Sequence, residues 1–171
     1  VLLRVLPVHA QGEDGARPVV RALRTGERVN LDGRLDEALW DAAEPATGFV
    51  QREPDPGAPA TERTEVRVAY DETDLYIGIR AWDSRPDVIV AREMNRDGGG
   101  GGGGFGPTGA LSNDDSVIVV LDTFLDGRNA FVFETNPLGA RADGLIEDEG
   151  RPSLEWDGVW NAAARVDDEG W

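Results

Sequence analysis

The sequence has no cysteine and a single histidine, and these two scarcities exclude several kinds of chemistry. Without thiols there is no disulfide framework, no zinc–thiolate centre and no cysteine nucleophile. The one histidine, His9, lies in an apolar segment near the start of the chain. A Ser-His-Asp triad or a histidine-ligated metal is therefore not expected in the folded domain.

Basic residues are also scarce. The 171 residues contain 17 Lys and Arg against 33 Asp and Glu, which gives a formal charge of −16. A nucleic-acid partner needs a basic face, so none is expected. Among so many carboxylates some pair always has the spacing that glycoside hydrolysis needs, so acidic pairs do not indicate catalysis. We predict a domain that is not an enzyme, with an acidic surface that is solvated or that binds calcium.

Hydrophobic runs are short, and we expect no membrane insertion by this domain. Residues 1–10 are apolar and end in Val8-His9-Ala10, a pattern that resembles the end of a secretory signal peptide whose beginning is missing. The alternative is an apolar tail. Residues 11–27 are interpreted as a leader. The sequence therefore predicts an extracytoplasmic protein.

The folded part has many short alternating segments and almost no helical pattern. About seven strands separated by turns predict an all-β fold, an antiparallel β-sandwich of jelly-roll type, over residues 28–171. The only expected helix is a short segment near residues 35–43. Residues 98–109 include seven consecutive glycines and are predicted to form a flexible loop. The alternation over 160–166 predicts a late strand, and the domain is expected to continue beyond residue 171 in its parent protein.

The most strongly patterned stretch runs from Ser112 to Asp143. Its two apolar runs, Val117 to Leu121 and Ala130 to Thr135, flank a Gly-containing turn and predict an antiparallel hairpin. The outer ends of a hairpin lie together, so its Asp and Asn residues indicate a candidate site. Oxygen ligands at strand ends suit a hard cation, although turn formation is the alternative role. The calcium candidates are Asp71, Asp74, Asp114 and Asp115.

An earlier segment predicts a second candidate surface. Alternation from Leu75 to Asp83 places Tyr76, Gly78, Arg80 and Trp82 on one face of a strand. Two aromatic residues flanking an arginine suit a shallow binding face, and the alternative is that a second sheet covers this face, as in a sandwich.

Five phrases in order carry a family resemblance. They are LDGRLDEALWDAA, TEVRVAYDETDLYIGIRAWD, DDSVIVVLDT, AFVFETNPLGARAD and EWDGVWNAAARVDDEGW. From about Val29 to Trp171 the chain resembles the family 9 carbohydrate-binding module, in the version that precedes an outer-membrane region in long secreted bacterial proteins. The resemblance implies a β-sandwich, carbohydrate as ligand, structural calcium, and the C-terminal region of the parent chain as a partner in the periplasm or at the outer membrane.

The resemblance also implies how a sugar is held, namely between two tryptophans, one before the D-S-V strand and one late in the chain. This sequence has no aromatic residue at 109–113, has Ile118 where an acidic residue is expected, and has Glu134 where an arginine is expected. The candidate carbohydrate contacts are Arg80, Trp82, Asn113, Asn136, Trp156 and Trp160. Two functions are predicted: a non-catalytic carbohydrate-binding module, or an accessory or docking domain of an outer-membrane protein that has lost sugar binding.

Overall fold

The computed structural model describes residues 2–3, 19–97, 111 and 113–171. The predicted glycine-rich loop lies outside the described residues, as do residues 1 and 4–10 of the predicted signal segment and residues 11–18 of the predicted leader. The strands are β1 Leu2–Leu3, β2 Val20–Arg21, β3 Leu23–Arg24, β4 Thr64–Tyr70, β5 Leu75–Ala81, β6 Val117–Leu121, β7 Ala130–Thr135 and β8 Arg141–Ile146. The helical elements include α1 Ala38–Ala42 and a 3₁₀ turn at Pro86–Val88.

The prediction of an all-β fold with one short helix near residues 35–43 is confirmed. The described strands form one two-stranded and two three-stranded sheets. The chain divides into two compact units. The first comprises 1–30, 35–86 and 168–171, and the second comprises 31–34 and 87–167. The sandwich arrangement of the sheets stays a prediction.

In the first unit, β4 and β5 are two seven-residue strands that form an antiparallel hairpin, and β3 runs parallel to β4. Its turn is built on Asp71, whose Oδ1 accepts hydrogen bonds from the N–H groups of Thr73 and Asp74 at 2.7 and 2.8 Å. At tight turns, an Asp carboxylate can accept hydrogen bonds from the backbone N–H groups two and three residues ahead. These N–H groups would otherwise bond water. The turn therefore fixes the register that the alternating pattern predicts.

Helix α1 packs on the face of β5 that carries Gly78. The indole of Trp40 is buried there with Leu39 and Ala69, and a Cβ at Gly78 would lie 2.8 Å from Cζ3 of Trp40. The predicted shallow binding face is thus covered at Tyr76 and Gly78. The cover consists of α1 and the preceding residue Leu35, not of a second sheet.

In the second unit, β6, β7 and β8 form an antiparallel sheet in that order. The predicted hairpin strands β6 and β7 are confirmed. One face of the sheet, the core face, packs Val132 and Ala142 against Leu111 and Ala140. The opposite face carries Phe131 and Phe133 because successive residues of a strand point to opposite sides. We call it the aromatic face.

The predicted strand over 160–166 is wrong. These residues lie outside any strand in the described chain. The backbone at Ala164 instead passes so close to Gly33 that a Cβ there would lie 2.7 Å from the carbonyl carbon of Ala164. The small side chains in this stretch permit the close approach of the two backbones. Small apolar residues at alternate positions give the same sequence pattern as a strand.

Candidate functional site

The aromatic face of the second unit gathers four rings. Phe131 and Phe133, two apart on β7, meet two tryptophans from the segment after β8. The ring centroids of Phe131 and Trp156 are 4.8 Å apart, those of Phe133 and Trp156 are 5.9 Å apart, and those of Phe133 and Trp160 are 5.2 Å apart. The last two pairs meet edge to face, which is a favourable geometry for aromatic rings. We call these four residues the aromatic cluster.

All four rings of the aromatic cluster are partly exposed. Val159 lies between the two tryptophans in the sequence, and its side chain is fully exposed. The indole N–H of Trp160 is buried without a hydrogen-bond partner in the described part of the chain, so a ligand has no access to it. The accessible part of the cluster is therefore the hydrocarbon surface of its rings.

A charged group borders the cluster next to Trp156. The Arg96 guanidinium lies 2.6 Å from Oδ1 of Asp143 and 3.1 Å from Oδ1 of Asp157. Asp143 is fully buried, whereas the side chain of Asp157 is 74% exposed and that of Arg96 is 35% exposed. A buried carboxylate requires such a partner, because an unpaired charge away from water is costly. The group presents one carboxylate and part of one guanidinium to solvent beside the rings.

A second arginine lies on the other tryptophan. Arg141, at the start of β8, places its guanidinium carbon 5.8 Å from the centroid of Trp160. It also donates hydrogen bonds to the backbone oxygen of Trp160 and to the side chain of Asn161. Arg141 thereby holds the Trp160 segment against the strand.

Asn136, a predicted sugar contact, has a structural role. It is fully buried, and its Nδ2 donates to the backbone oxygen of Glu93 and to Oδ2 of Asp114 at 2.8 and 2.7 Å. Its Oδ1 accepts from the N–H groups of Leu138 and Ala140. Both donors and both acceptor positions are in use, so Asn136 has no group left for a ligand. Asn113 is exposed close by in sequence.

The two hairpin-end aspartates bind backbone amides. Oδ2 of Asp114 accepts from the N–H groups of Arg92 and Glu93, and Oδ2 of Asp115 accepts from Val90. Burial by itself raises the pKa of Asp114, but these backbone bonds and the Asn136 amide outweigh it, so its pKa is lowered. At the hairpin end the structure thus brings Asp114 together with Asn136, and these bonds tie the 90–93 segment to the chain beside β6 and β7.

Glu134 and Ile118 stand where the family resemblance implies binding groups. Glu134 is fully buried on the core face, where it accepts hydrogen bonds from the N–H of Leu111 and the hydroxyl of Ser116. Ile118 is 44% exposed on β6, which has a single neighbour among the described strands. Neither residue belongs to the aromatic cluster.

Trp82 and Arg80 belong to the first unit. The guanidinium carbon of Arg63 lies 4.2 Å from the Trp82 ring centroid, and that of Arg80 lies 5.5 Å from it. A guanidinium at this distance makes a cation–π contact and occupies ring surface that a sugar would use. Arg63 is itself bound to the buried carboxylate of Glu65. Trp82 therefore offers less free ring surface than its sequence context predicts.

The calcium candidates of the first unit, Asp71 and Asp74, accept hydrogen bonds within the β4–β5 turn. Asp71 accepts from Thr73, Asp74 and, at 2.7 Å, the hydroxyl of Tyr76. Oδ2 of Asp74 accepts from the hydroxyl of Thr73. Within the described residues no group of three or more acidic or imidazole side chains is arranged to hold a metal ion. Calcium binding stays a prediction.

Sequence reasoning singled out Trp156 and Trp160 but missed the residues around them. Phe131 and Phe133 were visible as alternate positions of a predicted strand, which places them on one face. Arg96 was not detectable, since it is 47 residues from Asp143 in the sequence. Only the fold brings the two together.

Comparisons of this chain with protein-family models, with curated proteins and with solved structures find no match. The resemblance to family 9 carbohydrate-binding modules accordingly stays a prediction. Of the helices in the described ranges, none has the length and apolar character needed to cross a membrane.

Proposed function

We propose that this chain is a non-catalytic carbohydrate-binding module of an exported bacterial protein, and that it binds a saccharide on the aromatic cluster of the second unit. The observation that supports this most strongly is the position of partly exposed Trp156, which packs on Phe131 and lies beside the charged group of Arg96 and Asp157. Rigid aromatic surface beside a few fixed polar groups is typical of small-molecule sites.

A sugar ring matches both parts of this surface. Its axial C–H groups form an apolar face that stacks on an indole, and its hydroxyls project from the ring edge. The exposed oxygens of Asp157 accept hydrogen bonds from such hydroxyls, and the Arg96 guanidinium donates to them. Charge-assisted hydrogen bonds of this kind are stronger than neutral ones and fix orientation.

Binding without catalysis agrees with the chemistry of the bordering carboxylates. Asp143 is fully buried, and its two oxygens bond Arg96 and the N–H of Gly158. Glycoside hydrolysis needs two carboxyl groups that both reach the glycosidic bond. Asp143 is not placed to be one of them, so we propose recognition and not hydrolysis.

Isothermal titration with xylo-, cello- and chito-oligosaccharides tests the proposal. We expect one of these series to bind the wild-type protein, and we expect Trp156→Ala to weaken that binding at least about tenfold, a loss of about 1.4 kcal/mol. The matched control is Phe124→Ala, because Phe124 is a 68% exposed aromatic outside the cluster.

Equal loss of affinity in both variants would contradict the assignment of the site. No heat of binding from any of the three series would contradict saccharide recognition. The alternative function, an accessory or docking domain that acts on the C-terminal region of its parent chain, would then become the better proposal.

A further inference from the structure

The segment that carries Trp156 is bound by the ion pair between buried Asp143 and partly exposed Arg96. Asp143, in the middle of β8, accepts the N–H of Gly158 on Oδ2 at 2.5 Å and the Arg96 guanidinium on Oδ1 at 2.6 Å. Arg96 in turn donates to the carbonyl oxygen of Gly158 at 3.3 Å. Both backbone polar groups of Gly158 are thus bound by the same two side chains.

Gly158 lies directly against the ring of Trp156. A Cβ placed on Gly158 would be 2.6 Å from Cη2 and 2.9 Å from Cζ3 of that indole, and 3.3 Å from Oδ2 of Asp143. Real Cβ atoms essentially never lie within 3.0 Å of another heavy atom, so any residue other than glycine displaces the ring. The six-membered ring of Trp156 therefore rests on a backbone that Asp143 and Arg96 hold in place.

The carboxylate of Asp97 contacts both members of the Asp143–Arg96 pair. The N–H of Asp143 donates to Oδ1 of Asp97 at 3.3 Å, and the Arg96 Nε lies 3.6 Å from Oδ2 of Asp97. Asp143 is fully buried, so neither of its oxygens exchanges freely between protein and water partners. A side chain anchored in this way transmits its position to whatever it binds.

We propose that Asp143 and Arg96 are positioning residues for Trp156. Through Gly158 they set the orientation of the indole that the proposed function uses as its sugar platform. Asp143 is buried and does so without contacting the sugar, whereas Arg96 does so in addition to the hydroxyl contact that the proposed function gives it. The expected effect of these two residues on saccharide affinity rests on the proposed function, whereas the orientation of Trp156 is measurable without any ligand.

The experiment uses protein labelled with 5-fluorotryptophan, which gives one ¹⁹F resonance for each of the five tryptophans. The Trp156 resonance is assigned by its loss in Trp156→Phe. We expect Asp143→Asn and Gly158→Ala to shift or broaden the Trp156 resonance and to leave that of Trp40, in the core of the first unit, unchanged. The control Asp148→Asn breaks an exposed ion pair with Arg128 and should move neither signal.

Titration of the same variants with the saccharide that the wild type binds gives the second readout. We expect Asp143→Asn and Gly158→Ala to bind about tenfold more weakly. Arg96→Lys keeps the charge but loses the planar fork, so it should reproduce the Trp156 shift in part. Gly158→Ala changes no charge, and it provides the test on its own if Asp143→Asn does not fold.

An unchanged Trp156 resonance in folded Asp143→Asn and Gly158→Ala would overturn the inference. A shifted resonance with wild-type affinity would overturn it as well, because the orientation of Trp156 would then not affect binding. A shifted resonance in a protein that binds no saccharide would support the positioning role and would contradict the proposed function alone.

Discussion

Asp71 shows how one carboxylate organises a turn. The backbone N–H of Thr73, the Tyr76 hydroxyl and the N–H of Asp74 all donate to it, and these bonds lower the pKa of Asp71 from 3.8 to about 2. The bond to Asp71 also raises the pKa of Tyr76 from 10.0 to about 12. The ionised carboxylate and the protonated phenol are therefore the forms that the folded turn favours.

A pH-dependent contribution to stability follows. Because the pKa of Asp71 is lower in the folded state, its contribution is fully present above about pH 4 and is lost as the pH falls towards 2. Asp71→Asn cannot ionise and cannot accept the Tyr76 hydroxyl through its amide nitrogen. We expect this variant to be less stable than wild type at pH 6, and the difference to shrink at pH 2.5.

Urea unfolding of both proteins at the two pH values measures that difference. The same gap in midpoint at both values would show that the carboxylate charge of Asp71 does not stabilise the turn. Asp148→Asn, at an exposed ion pair, is the control, and its urea unfolding midpoint at pH 6 should differ little from that of the wild type.

Asn136 has a structural role that its sequence context does not reveal. Replacement by alanine leaves the buried N–H of Ala140 and the carboxylate of Asp114 each short of one partner. Unsatisfied buried groups cost about 1–3 kcal/mol each, so we expect Asn136→Ala to lower the free energy of unfolding by about 3 kcal/mol.

The matched control for this prediction is Asn113→Ala, an exposed asparagine of the same hairpin. We expect it to change the free energy of unfolding by less than about 0.5 kcal/mol. Chemical denaturation gives both values. Similar losses in the two variants would show that the bonds of Asn136 are not what stabilises the hairpin end.

Among the elements, the contact between α1 and β5 depends on a glycine. Gly78 has no side chain, and Trp40 and Leu35 fill the space where a Cβ would lie. An alanine forces these two side chains away from their packed positions. Overpacking of this kind costs about 1–3 kcal/mol, so we expect Gly78→Ala to lower the free energy of unfolding by that amount.

Gly26→Ala is the control, because nothing lies within 4 Å of a Cβ at Gly26. It should be neutral to within about 0.5 kcal/mol. Thermal or urea unfolding compares the two variants. A neutral Gly78→Ala would mean that Trp40 is not packed against this strand.

For the whole molecule, much of the fold could be predicted from local pattern. β4 alternates apolar with polar residues, and β6 and β7 are rich in β-branched and aromatic residues. The bounds of all three agree with the predicted ones. β8 was not predicted, because Asp143 and Gly144 are residues that strands disfavour. In the structure this strand pairs with β7 over its whole length, and Arg96 compensates the buried carboxylate of Asp143.

The candidate site could be predicted only in part. Aromatic residues are visible in any sequence, so Trp156 and Trp160 were available as candidates. Which polar groups join them depends on contacts over long separations, such as that of Arg96 with Gly158, 62 residues apart. The hydrogen bonds of Asn136 could not be predicted for the same reason, since its partners Glu93 and Asp114 come from elsewhere in the chain.

Saccharide titration followed by the indole N–H signals of the five tryptophans tests the proposed site on the intact chain. The signal of Trp156 should move progressively with a bound oligosaccharide, while that of Trp40, buried in the core of the first unit, should stay in place. Movement of the Trp82 signal with a constant Trp156 signal would place the saccharide on the first unit. That result would contradict the aromatic cluster as the binding surface.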